Sequence, residues 1–174
     1  MILNLLRKIV HLIFPQQKPL FKYLKSISLN YKNLDILEIG SGDEEKKQSV
    51  ISIFKEASIF LQTDINKEYN HMFLDITKSL EIKNKFDLVI CTSVLEHIFE
   101  TKLAIENMKK LLKKGGHLFV SVPFIYPLHD EPGDYWRFTE HSLRMLFKDF
   151  KIIEFKKTGL RKFPTQYMLL LELA

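Results

Sequence analysis

The chain has 174 residues, of which 46% are hydrophobic and 27% charged, a composition that suits one globular domain with its own core. Its 26 basic and 21 acidic residues give a formal net charge of +5, but they form no concentrated basic patch of the kind that binds nucleic acid. A single cysteine excludes an internal disulfide framework and a multi-cysteine zinc site. We expect a cytoplasmic protein, because neither an export signal nor an apolar run of roughly 20 residues is present.

The first segment, MILNLLRKIVHLIF, carries apolar residues at helical spacing and stops before Pro15. We predict a helix within residues 1–14, and its role stays open. The helix would pack on its own domain or on a partner subunit in a homodimer. Alternatively, it would lie peripherally on a membrane, since apolar residues interleaved with cations suit a membrane interface. A second helix is predicted over Pro19–Ile27, so that residues 1–28 form a helical segment ahead of the main domain at 29–174.

Beyond residue 28, short apolar runs alternate with helical periodicities. Strands are predicted at 34–39, 58–63, 71–76, 86–91, 117–122, 150–155 and 167–173, and helices at 45–57, at 101–114 up to the Gly115–Gly116 pair, and after Thr139. This alternation is typical of a single-domain α/β fold with a doubly wound, mostly parallel sheet. Whether the last run or a partner subunit completes the sheet stays open.

A glycine loop, LEIGSGDEE, follows the first predicted strand. Gly40 and Gly42 permit a tight turn and a close approach of ligand to backbone. Asp64 ends the second strand 24 residues after Gly40, near the offset at which an acid meets ribose hydroxyls. A dinucleotide pattern needs a third glycine where Glu45 stands in an acidic run, and such carboxylates compete with pyrophosphate for a helix N-terminus. The loop therefore predicts a nucleoside-type ligand with a cationic part.

The stretches LDILEIGSGD, FLDI and FDLVICTSVLEHI, with Asp64, resemble the class I S-adenosylmethionine-dependent methyltransferases from about Leu34 to Phe150. The resemblance implies a Rossmann-like domain that binds S-adenosylmethionine and releases S-adenosylhomocysteine. It implies the cofactor residues Glu38, Gly40, Ser41, Gly42, Asp64, Ile65, Asp75, Ile76, Thr92, Ser93 and Val94. Within this set, Glu38 and the glycine loop would hold the methionine end, Asp64 the ribose, and Asp75 with Ile76 the adenine. Glu44 departs from the pattern, since many members have a third glycine there.

Candidate catalytic residues follow the fourth and fifth predicted strands. In the segment SVPFIYPLHDEPGDYWRFTEHSL, His129 is a candidate general base, because an imidazole titrates near neutral pH. Asp134 or Asp130 would orient it. His97, in the LEHI stretch after the fourth strand, is either a second base or a buried structural histidine.

The same segment offers acceptor contacts. Tyr126 and Tyr135 are candidate acceptor-binding residues, with Trp136 stacking beside Tyr135 on a sugar face, and Arg137 would clamp an acidic group. The alternative interpretation is structural: Arg137 ties the loop to the sheet through Asp134, while Trp136 and Phe138 fill the core.

The chemical class of the acceptor is predicted from a resemblance of this segment to one subgroup of methyltransferases. The segment resembles methyltransferases found beside glycosyltransferases, which makes a sugar or glycan-linked hydroxyl the first expectation. A lipid-like quinone precursor and a non-catalytic cofactor-binding module are the alternatives. A metal site from His129, Asp130, Glu131 and Asp134 is disfavoured, because the set has one histidine and methyl transfer from sulfur to oxygen needs no Lewis acid. No metal is therefore predicted.

Overall fold

A computed structural model of the protein describes residues 16–43 and 49–173, so the predicted helix within residues 1–14 lies outside the described ranges. The strands are β1 Asp35–Ile39, β2 Ile59–Asp64, β3 Met72–Phe73, β4 Phe86–Thr92, β5 Leu112–Pro123, β6 Phe150–Leu160 and β7 Phe163–Leu173. The helices are α1 Gln17–Ser28, α2 Thr101–Leu111 and α3 Glu140–Leu146, with 3-10 turns at Leu29–Tyr31 and Leu95–His97. Within the described ranges, no helix is long and apolar enough to cross a membrane.

All seven strands form one sheet in the order β3-β2-β1-β4-β5-β7-β6. The strands from β3 to β5 pair in parallel, and β7 runs antiparallel to β5 and β6. The predicted mostly parallel, doubly wound α/β fold is thus confirmed. The chain completes the sheet with its own β6–β7 hairpin, since β7 pairs with β5 from Glu172 to Gln166. The order reverses beside β1, and a ligand cleft is expected there at the carboxyl ends of the strands.

Both faces of the sheet are buried. Leu37 of β1 joins the apolar cluster under α2 and α3, whereas its neighbour Ile36 joins the cluster under α1. Because successive strand residues point to opposite faces, a strand covered on both sides is apolar throughout, as the runs in β1, β4 and β5 are. Leu20, Leu24 and Ile27 of α1 are buried in this second cluster. Helix α1 is therefore part of the core packing.

Residues 49–57 form turns instead of the end of the predicted helix at 45–57. The Ile53 N–H donates to the Val50 carbonyl, and the Ala57 N–H donates to the Phe54 carbonyl. Val50 and Phe54 are nevertheless buried against the sheet. The four-residue spacing correctly indicated which side chains enter the core, but successive turns satisfy that spacing as well as a helix does.

The predicted helix at 101–114 ends earlier, at Leu111, and β5 begins at Leu112. The glycine pair that was expected to stop the helix lies inside β5, where its pairing with β4 shifts register after Phe86. A Cβ on Gly116 would lie 2.8 Å from the Lys113 carbonyl oxygen, which is too close for a side chain. The two glycines therefore permit a bulge in the strand. Thr139, by contrast, caps α3 as predicted, in a capping box with Ser142.

Candidate active site

The loop after β1 is shaped by Gly40, whose φ of +73° lies in the left-handed region. Its N–H and that of Ser41 donate to the Thr63 carbonyl at 2.9 and 3.0 Å, which ties the loop to β2. A Cβ on Gly40 would collide with the side chain of Val94, which follows β4. Glycine alone satisfies both the backbone conformation and the available space.

Two buried carboxylates flank this loop. Asp64, 8% exposed, accepts from the Gly42 N–H through Oδ2 and from the Asn66 N–H through Oδ1, both at 2.8 Å. Glu38, 3% exposed, accepts from the Ser41 hydroxyl at 3.1 Å. Glu38 also accepts from the Gln62 amide at 3.3 Å, whereas each Asp64 oxygen has a second lone pair that can accept a hydrogen bond from a ligand. Their negative charge suits a cationic ligand better than a phosphate.

The predicted adenine contacts are only partly suited to that role. Ile76 is 4% exposed and packs in the core under α2, so its side chain does not face a cofactor as the resemblance implied. Asp75 is half-buried, and its Oδ1 accepts from the N–H and the hydroxyl of Thr77 at 2.9 and 2.6 Å. Ile65, next to Asp64, is 63% exposed. Ile65 is thus the predicted residue that offers apolar surface to an adenine.

A cleft of about 250 Å³ opens at the carboxyl ends of β1 and β4. Five predicted cofactor residues line it: Glu38, Gly40, Ser41, Thr92 and Ser93. Four residues predicted for the acceptor side line it as well: His97, Tyr126, His129 and Asp130. Tertiary structure therefore brings part of each predicted group into one cavity, whereas Gly42, Asp64, Ile65, Asp75, Ile76 and Val94 do not line it.

The loop between β5 and α3, residues 124–139, is called the acceptor loop, and an internal ion pair holds it. Arg137 binds both carboxylate oxygens of Asp134, at 2.6 and 2.7 Å, and its other N–H groups donate to the carbonyls of Tyr126, Pro127 and Trp136. The Asp134 side chain is 1% exposed, and the hydrogen bonds from Arg137 lower its pKa to about 2. Arg137 thus holds the loop, as in the structural interpretation.

Asp134 also orients His129. Its Oδ2 accepts from the His129 backbone N–H at 3.0 Å and lies 3.2 Å from the ring Nδ1, which is equally 3.2 Å from the Pro127 carbonyl oxygen. The Nδ1 of His97 lies 2.9 Å from the Gly133 carbonyl oxygen. Because each Nδ1 lies beside an oxygen acceptor, each ring in its neutral form carries its proton on Nδ1 and keeps a lone pair on Nε2. The two rings meet edge to face, with centroids 4.8 Å apart.

The residues considered for a metal site do not form one in the described part of the chain. Asp134 is bound by Arg137, and Asp130 and Glu131 are exposed. Instead, Glu96, His97 and His129 place one ligand atom each within 4.8 Å of one another. Two of these three lie in the 3-10 turn after β4, which is distant from the acceptor loop in sequence.

The aromatic residues of the loop divide between core and rim. Phe138 is buried, in agreement with the structural interpretation, but Trp136 and Tyr135 are 38% and 49% exposed. Trp136 stacks on Phe99 at 5.6 Å and donates from Nε1 to the Ile98 carbonyl, and Tyr135 meets Phe99 edge to face. An exposed aromatic rim therefore borders the acceptor loop.

Some cleft residues had no signal in the sequence. Gln16, Gln17 and Phe21 reach the cleft from α1 and the residue before it. Gln16 is fixed there by donation to the Thr165 carbonyl and by a hydrogen bond that it accepts from Gln166. These contacts join residues about 150 positions apart. No local sequence pattern predicts contacts between residues so far apart in the chain.

A mostly parallel sheet with a glycine loop after β1, an acid at the end of β2 and a cleft at the reversal of strand order is typical of doubly wound proteins that bind nucleoside cofactors. A family model described as a methyltransferase domain matches residues 6–155. The chain belongs to that family of methyltransferase domains and has the fold of class I S-adenosylmethionine-dependent methyltransferases.

Individual relatives are more distant. The chain is 29% identical over 123 residues to a polyketide synthase-nonribosomal peptide synthetase of Aspergillus clavatus, covering 57% of this chain and 3% of that protein. It is 26% identical over 130 residues to a ubiquinone biosynthesis O-methyltransferase of Coxiella burnetii, covering 66% of this chain and 52% of that protein. The N-methyltransferase NodS of Bradyrhizobium japonicum, solved with S-adenosylhomocysteine, superimposes with a TM-score of 0.67 at 18% identity, covering 90% and 86% of the two chains. That structural likeness concerns the fold alone.

Proposed function

We propose that the protein transfers the methyl group of S-adenosylmethionine to a hydroxyl group of a sugar, a glycan-linked acceptor or another small molecule. One observation carries the proposal: a single cleft joins the glycine loop and Glu38 to the oriented imidazole of His129. The cofactor supplies the electrophilic methyl group, so the protein mainly aligns the reactants and excludes water.

The cofactor side fits a ligand with an ammonium, a sulfonium and a ribose. Glu38 and the open backbone at Gly40 would hold the methionine end, where negative charge stabilises the cation. Asp64 would accept hydrogen bonds from the ribose hydroxyls through its remaining lone pairs. Ile65 would cover the adenine.

On the acceptor side, His129 would take the proton of the attacking hydroxyl on Nε2. The oxygen then bonds to the methyl carbon as the carbon–sulfur bond breaks, and S-adenosylhomocysteine leaves. Asp134 remains ionised, because Arg137 lowers its pKa to about 2, and it stabilises the imidazolium that forms. His97 packs against the His129 ring and limits its rotation.

A sugar acceptor is supported by the aromatic rim. Exposed Phe99, Tyr135 and Trp136 offer ring faces and edges to the apolar side of a sugar. The second candidate is a lipid-like quinone precursor, which the similarity to the Coxiella O-methyltransferase favours. Both acceptors present a hydroxyl to the same nitrogen.

An acceptor screen with radiolabelled S-adenosylmethionine tests the proposal. Cell-envelope glycan fractions and catechol-type quinone precursors should be compared, with transfer expected to the glycan fraction. Calorimetry with S-adenosylhomocysteine tests the cofactor half separately. A protein that binds no cofactor at millimolar concentration would be a non-catalytic module, contrary to the proposal.

The role of His129 is tested by its alanine variant. His129→Ala should reduce turnover on a hydroxyl acceptor roughly 100-fold and remove the ionisation of the base from the pH profile. His141→Ala, at an exposed position of α3, is the matched control and should behave as wild type. An unchanged pH profile in His129→Ala, with cofactor binding intact, would contradict the base assignment.

A further inference from the structure

We propose that Glu96, His97 and His129 bind a divalent transition-metal ion at the acceptor end of the cleft. Each residue places a possible ligand atom within 4.8 Å of the other two, and all three line the cleft. Glu96 and His97 belong to the turn after β4, and His129 comes from the loop after β5. The site therefore exists only in the folded chain, across two neighbouring strand ends.

Both imidazoles are oriented as metal ligands usually are. A ligating histidine normally donates its second ring N–H to a carboxylate or a backbone carbonyl, which fixes the tautomer and the ring plane. His129 has the Asp134 carboxylate and the Pro127 carbonyl at Nδ1, and His97 has the Gly133 carbonyl. Both Nε2 atoms consequently keep their lone pairs for an ion.

The third ligand is a carboxylate inside the protein. Glu96 is fully buried, so its carboxylate is held at a defined position between the turn after β4 and the loop after β5. Its backbone carbonyl accepts from the N–H groups of Tyr135 and Trp136 at 2.8 and 3.1 Å. The acceptor loop thereby fixes the position of Glu96 relative to His129.

The donor set selects the metal. Two imidazoles and one carboxylate suit zinc, cobalt, manganese or ferrous iron, whereas magnesium and calcium prefer oxygen ligands. Ligand bonds of about 2.1 Å in a tetrahedral site place donor atoms about 3.4 Å apart, so the three side chains need to close by no more than about 1.4 Å. The fourth position would face the cleft, as it does in catalytic sites with three protein ligands.

The consequence for methyl transfer rests on the proposed function. The acceptor hydroxyl would take the open position, where the ion lowers its pKa and its proton passes to water. The oxygen then forms its bond to the methyl carbon as the carbon–sulfur bond breaks. With the ion bound, His129 is a ligand. In the metal-free protein, the His129 imidazole accepts the proton instead.

Metal binding can be measured without any turnover. Chelator-treated, tag-free protein should be titrated with zinc by calorimetry and with cobalt by visible spectroscopy, with magnesium as the comparison ion. We expect one zinc per chain, cobalt bands of a four- or five-coordinate site, and no saturable magnesium binding. Glu96→Gln, His97→Gln and His129→Gln should each weaken zinc at least about 10-fold, since even outer-shell changes cost that much. The control His141→Gln should bind as wild type.

The same preparations separate this inference from the proposed function. Wild-type protein without stoichiometric zinc, or zinc affinity unchanged in His97→Gln and His129→Gln, would overturn the metal site. Methyl transfer by that metal-free protein would then leave the proposed function standing. Conversely, zinc binding that depends on the three residues, in a protein that fails to bind S-adenosylhomocysteine, would support the metal site and overturn the function. S-adenosylhomocysteine binding in each variant also reports that the variant is folded.

Discussion

The two walls of the cleft are built in different ways. The cofactor wall lies at the carboxyl ends of β1 and β4, and backbone hydrogen bonds from Gly40 and Ser41 to Thr63 hold its glycine loop. The acceptor wall is a long excursion between β5 and α3, held by side chains, above all by the pair of Asp134 and Arg137. A wall made of backbone depends on conformation and space, whereas a wall made of side chains depends on charge. Substitutions should therefore fail differently on the two sides.

The largest effect is expected on the cofactor wall, from Gly40→Val. Position 40 has a left-handed backbone, which a β-branched side chain disfavours, and the new side chain collides with Val94, so the loop must move off β2. We expect the affinity for S-adenosylhomocysteine, measured by calorimetry, to fall more than about 100-fold, given that strain and overpacking together cost several kcal/mol. Gly133→Ala is the control in the acceptor wall, where a Cβ has 3.7 Å of room, and should leave affinity unchanged. An equal loss of S-adenosylhomocysteine affinity in both variants would contradict the proposed difference between the two walls.

The next effect is on the acceptor wall and depends on pH. Because Arg137 lowers the pKa of Asp134 to about 2, the ionised carboxylate stabilises the fold by about 2 kcal/mol above pH 4. That contribution should disappear as pH falls from about 4 to about 2, through the folded-state pKa.

Urea denaturation of wild type and Asp134→Asn across this range measures the difference in unfolding free energy. The two proteins should converge at the acid end, while Asp130→Asn, an exposed neighbour, should match wild type throughout. A difference between wild type and Asp134→Asn that does not vary with pH would show that the ion pair does not hold the loop.

A smaller effect is expected from Asp64→Asn. The amide preserves the shape and can still accept from the Gly42 N–H, but it loses the charge and one acceptor oxygen. Losing a charged hydrogen bond costs about 1.5 kcal/mol, so S-adenosylhomocysteine should bind about 10-fold more weakly. The acceptor KM should stay within twofold of wild type. A change in acceptor KM without a change in cofactor affinity would contradict the assignment of Asp64 to the cofactor wall.

The smallest effect is expected at the rim, from Trp136→Phe. The ring still stacks on Phe99, but the hydrogen bond to the Ile98 carbonyl is lost. At this exposed position the loss is about 0.5–1.5 kcal/mol, so acceptor KM should rise less than about 10-fold with cofactor affinity unchanged. Met145→Leu, on the exposed side of α3, is a control that should change neither. A larger loss of cofactor affinity than of acceptor affinity would contradict the assignment of the rim.

The sequence by itself determined where most strands lie along the chain, the sheet class and the position of the glycine loop. These features are local: a buried parallel strand is a continuous apolar run, and a glycine turn followed by a strand-end acid lies within a single β–loop–β unit. The same locality explains the errors. The helical spacing at 49–57 correctly indicated which side chains are buried, but those residues form turns and not a helix. The Gly115–Gly116 pair lies at a bulge in β5 instead of at a helix end.

Only the tertiary structure decided what the polar residues after β5 do. Arg137 had the right chemistry for an acceptor clamp, but folding placed Asp134 and three carbonyls around it. His97 and His129 are separate in sequence, and their contact arises because β4 and β5 are neighbours whose carboxyl ends meet at one edge. The type of a residue limits what it can bind. The side chains that reach it are set by the packing of distant segments, which no local pattern encodes.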